Sequence, residues 1–129
     1  MSSQPASSEK ALYLRLGGYD AIAAVVDEFL QTLASDLRMV RFGSAMNLER
    51  RKRNRQLTLD YISAVTGGPT LYLGQDMKTA HAGLGISAEE WKIAMDHAAR
   101  ALEKFRVPER ESKELLAVFQ DVRGEIVER

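Results

Sequence analysis

Three glycine-rich breaks, "LGGYD" at 16–20, "TGGPT" at 66–70 and "GLGIS" at 83–87, divide this sequence into stretches whose apolar residues recur at three-and-four spacing. That period puts one apolar stripe on an α-helix, and the stripe has to be buried against another helix. From Tyr19 to Ser35 the stripe is Ile22, Val25, Val26, Phe29, Leu30 and Leu33, with Asp20 in the first turn, where a carboxylate favours the helix dipole. A second helix is predicted from about Asn47 to Val65. Its inner face, Asn54, Leu57, Thr58, Tyr61, Ile62 and Val65, is interrupted by two short polar residues. "SAEE" at 87–90 fits a capping box and opens a helix with Trp91, Ala94, Met95, Ala98, Leu102 and Phe105 turned inward. "RVPE" breaks it, and Pro108 suits the first turn of a final helix that buries Leu115, Val118, Phe119, Val122 and Ile126. Shorter pieces complete the pattern. "ALYLR" is a brief helix stopped by Gly17 and Gly18, residues 36–46 read as a turn of helix and a loop, and "LGQDMKTAH" gives two helical turns at most. With no strand pattern or repeat, the class is all-α: one domain over 11–129, preceded by a disordered polar tail over 1–10.

Composition removes several functions. Eighteen basic and eighteen acidic side chains give no net charge, so nothing draws the chain as a whole to nucleic acid or an anionic membrane. The absence of cysteine excludes disulfides, thiolate metal sites, iron–sulfur clusters and thioether-linked cofactors. No apolar run is long enough to span a bilayer, and "MSSQPASSEK" lacks the apolar middle of a secretory signal, so a cytoplasmic protein is expected.

Three polar features compete for a functional role. The basic run "ERRKRNR" at 49–55 lacks interleaved aromatics and reads first as the solvated start of an amphipathic helix, second as a grip for an anionic cofactor. His97, at the margin of its helix stripe, reads as a boundary residue. His81, taken alone, reads as a satisfied core histidine. It shares a helix face with Met77, however, has small neighbours in Ala80 and Ala82, and is followed by Gly83 and Gly85. Asn54 and Thr58 add weak polar contacts to an otherwise apolar wall. One histidine is too few for a bare metal ion. A cofactor that brings four ligands of its own, haem, is the economical partner, with one coordination position left open.

The stretches "LYLRLGGYDAIAAVVDEFL" and "TGGPTLYLGQDMKTAHAGLGIS", with "RVP" before the last helix, resemble the truncated haemoglobins of the first group over about Leu12 to Val127. The resemblance implies a two-over-two sandwich of four main helices around haem b, a brief first helix, and a mostly extended segment before the proximal histidine. By position it places His81 on the iron ligand, Met77 and Lys78 beside the haem, and Gly17, Gly18, Gly67 and Gly68 on turn pairs. It places Leu30, Asn54, Thr58, Tyr61 and Ile62 on the distal wall, Ala94, Leu115, Val118 and Phe119 on bordering helices, and Phe42 against the haem. Lys78 and the arginines opening the distal helix fall where the haem carboxylates would be met. Two departures stand out: Leu30 replaces a frequent tyrosine and Thr58 a frequent glutamine, both hydrogen-bond donors to bound oxygen in that family. The implied activity is reversible binding or sensing of oxygen, nitric oxide or carbon monoxide, with oxygen transport as the expected role. A redox enzyme, such as a nitric oxide dioxygenase or a peroxidase served by a separate reductase, is the alternative, and a cofactor-free helical interaction domain the remote one.

Overall fold

The computed structural model describes residues 9–43 and 46–129, so most of the expected tail, residues 1–8, lies outside the described residues. Among the described residues every regular element is helical: α1 Leu12–Arg15, α2 Gly18–Ser35, a 3-10 turn Leu37–Phe42, α3 Leu48–Val65, α4 Met77–His81, α5 Ala88–Lys104, α6 Glu109–Asp121 and α7 Arg123–Ile126. α2 packs most extensively on α5 and α3, α5 on α6, and α1 bridges α2 and α6. These contacts join the four main helices as two packed pairs, α2 with α3 and α5 with α6, as the resemblance implies.

The caps follow local chemistry. Asn47 accepts from Arg50 N–H at 2.8 Å to start α3, and Ser87 and Glu90 close the capping box of α5 at 3.0 and 3.1 Å. Two glycines are required for close approach. Gly17 has φ 107°, and a Cβ there would stand 2.8 Å from that of Ala21. A Cβ on Gly68 would strike the Tyr13 ring, where α1 docks on the end of α3 through Tyr13 N–H to the Thr66 carbonyl at 2.8 Å.

The central core is Tyr13, Leu16, Ile22, Val26, Leu59, Ile62, Leu102 and Leu115. Three sequence expectations change here. In α3 the buried face is Leu59, Ile62 and Ser63, continued by Thr66, while Asn54 and Val65 are exposed. At about 100° per residue, the stripe expected from sequence is centred roughly 120° from this face. Phe105 is 44 % exposed rather than inward, because the backbone leaves the helix there; Ile93 and Ala101 are buried on α5 instead. The last helix is not continuous to Ile126. It breaks at Val122, and the short α7 turns to pack on α4. The inner side of α6 also carries a buried Glu111, whose carboxylate accepts from Arg15 at 2.8 Å.

Candidate functional site around His81

His81 ends the five-residue α4, which is opened by the Asp76 carboxylate accepting from Thr79 N–H at 3.3 Å. So short a helix holds its shape only through what surrounds it. The half-buried imidazole uses Nδ1 to donate to the Met77 carbonyl at 2.8 Å. This places the proton on Nδ1 and leaves the Nε2 lone pair unengaged among the described residues, the state in which a histidine binds a metal. No group of three or more histidine and carboxylate side chains able to hold a bare ion occurs among the described residues.

The backbone after His81 is held from both sides. Glu128 accepts from Gly83 N–H at 3.1 Å and Gly85 N–H at 2.7 Å. The N–H groups of Glu128 and Arg129 reach the Ile86 carbonyl at 2.8 and 3.2 Å, Ala88 N–H reaches the Arg129 carbonyl at 3.0 Å, and Arg129 Nε reaches the Gly85 carbonyl at 2.9 Å. From the opposite side Arg41 donates to the Leu84 and Gly85 carbonyls at 2.9 and 3.2 Å and pairs with Glu90 at 2.7 Å. The Arg41 guanidinium also lies over the Phe42 ring at 4.0 Å, so one cation ties Phe42 to the loop after His81.

That cation sets a pH dependence. Its hydrogen bond, with Ser87 N–H second, holds the Glu90 carboxyl down to about 2 from an ordinary 4.5. A carboxylate whose pKa is depressed on folding adds stability above its unfolded pKa and loses it as pH falls through the folded one. Glu90→Gln is therefore expected to be less stable than the parent at neutral pH, the gap closing between pH 4.5 and about 2. Urea midpoints across that range measure it, and a constant gap would refute the coupling.

The distal candidates divide. Leu30, Tyr61 and Phe119 pack half-buried against the core cluster that contains Ile62 and Leu115, so these five are brought together. Leu57 and Thr58 are half-buried off the α3 face that packs the core, whereas Ala94, one turn from buried Trp91 and Ala98, and Val118, one turn from buried Leu115, are half-buried on the inner faces of α5 and α6. Met77 is half-buried; Asn54 and Lys78 are exposed. The Tyr61 and Tyr72 rings meet edge to face at 5.3 Å, linking α3 to the extended segment that leads to His81. In the basic run, Arg55 pairs with Asp27, while Arg50, Arg51, Lys52 and Arg53 are exposed. One orphan stands on the inner face of α5: the indole N–H of Trp91, only 7 % exposed, lacks a hydrogen-bond partner among the described residues. Buried polar groups are rarely left so, and a group received from outside the chain would account for it. A histidine with one free ring nitrogen, and apolar and aromatic side chains left half-covered, fit a flat apolar cofactor that carries its own metal.

Sequence reading missed Glu128, Arg41 and the role of His97. The last is no loose boundary residue: its Nε2 lies 2.7 Å from the Asp36 carboxylate, both side chains only 11 % exposed, pinning the end of α2 to α5. Arg38 and His97 together hold the Asp36 carboxyl well below the usual range. No local pattern announces pairs separated by more than forty residues.

Comparison with known proteins agrees with this geometry. A family profile described as bacterial-like globin matches residues 11–128. The group 1 truncated hemoglobin GlbN of Mycolicibacterium paratuberculosis is 31% identical over 124 residues, covering 96% of this chain and 86% of that protein. The group 1 truncated hemoglobin of Tetrahymena thermophila is 26% identical over 123 residues, 95% of each chain. Among solved structures, the truncated hemoglobin of Tetrahymena pyriformis in its Fe(III) form superposes with a TM-score of 0.84 at 22% identity, covering 93% of this chain and 100% of that one. The 2/2 hemoglobin of a Synechococcus species, in the cyanomet state with covalently attached heme, gives 0.83 at 21% identity over 93% and 100%.

Proposed function

The chain belongs to the bacterial-like globins, haem-binding proteins that take a diatomic gas, and from that premise we propose that His81 is its proximal iron ligand, in a non-covalently held haem b. The observation that carries this reading is the Nδ1 hydrogen bond to the Met77 carbonyl, which orients the ring and frees Nε2. Haem, when bound, supplies an iron with one position open to the gas. The protein's part is to orient the imidazole, exclude water with Leu30, Phe42, Tyr61, Ile62, Leu115, Val118 and Phe119, leave room at Ala94, and offer polar atoms at Thr58 and Asn54. Met77 lies at the edge of the site; Lys78 and the arginines at the start of α3 meet the haem carboxylates. Reversible oxygen binding and transport in the cytoplasm, with iron kept reduced by a separate reductase, complete the proposal. A visible absorption spectrum after haem supplementation tests it: a Soret band that shifts with carbon monoxide supports it, and a colourless product sinks it.

Leu30 carries a second expectation. A neutral hydrogen bond contributes about 0.5–1.5 kcal/mol, and roughly 1.4 kcal/mol is tenfold in a rate. Leu30→Tyr is expected to slow oxygen release by up to about tenfold, since the new hydroxyl can donate to the polar ligand, while carbon monoxide release changes little. Stopped-flow rates for both gases decide it. An unchanged oxygen rate in a fully haem-loaded variant would place Leu30 away from the ligand.

A further inference from the structure

Glu128 comes from the far end of the chain to the loop that follows His81. Ile126, buried in α7, anchors the chain against α4. Two residues later the Glu128 carboxylate spans the two glycine amides, Oε2 to Gly83 and Oε1 to Gly85. Gly83 and Gly85 have φ of 82° and 63°, a left-handed conformation in which glycine is unhindered and therefore poorly self-fixed. A loop built on two such residues needs outside partners to hold one shape. Arg41 and Arg129 fix its carbonyls; among the described residues only Glu128 fixes the Gly83 and Gly85 amides.

We infer that Glu128 is a positioning residue for His81: by holding the Gly83 and Gly85 amides it fixes the backbone after the histidine, and with it the direction of Nε2 toward the iron. The inference rests on the reading of His81 as proximal ligand. The Nδ1 bond to Met77 sets the rotation of the ring about its own bond, and the Glu128 clamp sets the end of the short helix that carries the ring. Groups that orient a metal ligand from behind change metal affinity by about 10–100-fold when removed, and the solvent-exposed clamp belongs at the low end.

The test uses the full chain loaded with haem and reduced, as parent, Glu128→Gln and Glu128→Ala. Resonance Raman reads the iron–histidine stretch, and haem transfer to excess apomyoglobin reads the loss rate. Glu128→Ala is expected to shift and broaden the stretch and to speed haem loss about tenfold. Glu128→Gln, with one accepting oxygen where two were, is expected to fall between. In the haem-free protein, amide exchange at Gly83 and Gly85 is expected to accelerate in both variants while α2 and α5 keep their protection. A role in stability alone would lower the melting temperature without moving the stretch, and that result overturns the inference. If Glu128→Ala cannot be loaded, Glu128→Gln decides: a parent-like stretch with unprotected glycine amides refutes it. A parent without any iron–histidine stretch would instead overturn the His81 reading, so the two failures are distinguishable.

Discussion

His81→Ala is expected to lose tight haem binding outright. Among the described residues the imidazole is the only side chain whose ring nitrogen is both oriented by a backbone carbonyl and left free to coordinate. Because a cofactor that binds only the folded state stabilises it, the loss shows in stability as well. At a haem concentration about a thousand times the dissociation constant the parent gains about 4 kcal/mol, and the variant gains little. Melting curves with and without haem should separate widely for the parent and coincide for His81→Ala. His97→Ala is the control. It breaks the Asp36 pair and costs about 1.5–3 kcal/mol, a charged hydrogen bond's worth, yet keeps the haem spectrum. The reverse outcome, haem lost with His97 and kept without His81, would remove the assignment.

The second large effect lies on α3 and separates its two faces. Leu59 is 0 % exposed in the central core, so Leu59→Ala leaves a cavity and is expected to cost about 2–5 kcal/mol. Asn54→Ala, on the exposed face one and a half turns earlier, is expected to change stability by no more than about 0.5 kcal/mol. Urea unfolding of the haem-free protein measures both. Equal losses would mean that the polar-interrupted stripe, rather than the Leu59 face, packs the core. The distinction matters for function, because a helix that buries one face and half-buries another can both build the core and offer Thr58 and Tyr61 to a cofactor.

The sequence was informative wherever the controlling interactions are close along the chain. The start of α3 near Asn47, the Ser87–Glu90 capping box and the break at Gly67–Gly68 are set within four or five residues, and each is found where the spacing places it, while the mostly extended run before α4 is as the resemblance implied. The two-over-two arrangement was legible through the resemblance, whose motif residues stand at these same breaks and turns. Periodicity was less reliable in α3. Its mean composition is polar, with four successive cations near its start, and an apolar count cannot tell a face that meets the core from one that meets a cofactor.

By itself, then, the sequence determined that the chain is helical, where its four main helices begin, and that His81 stands at the close of a short helix with room beside it and freedom after it. Those properties come from backbone propensity, capping and glycine conformation, which act over a few residues. Tertiary structure alone decided which side of α3 is buried, that Arg41 joins Phe42 to the His81 loop, that His97 is paired with Asp36, and that Glu128 grips Gly83 and Gly85. Each of these joins residues far apart in the chain, and a charged side chain on a polar helix face looks the same in sequence whether water or a distant amide receives it.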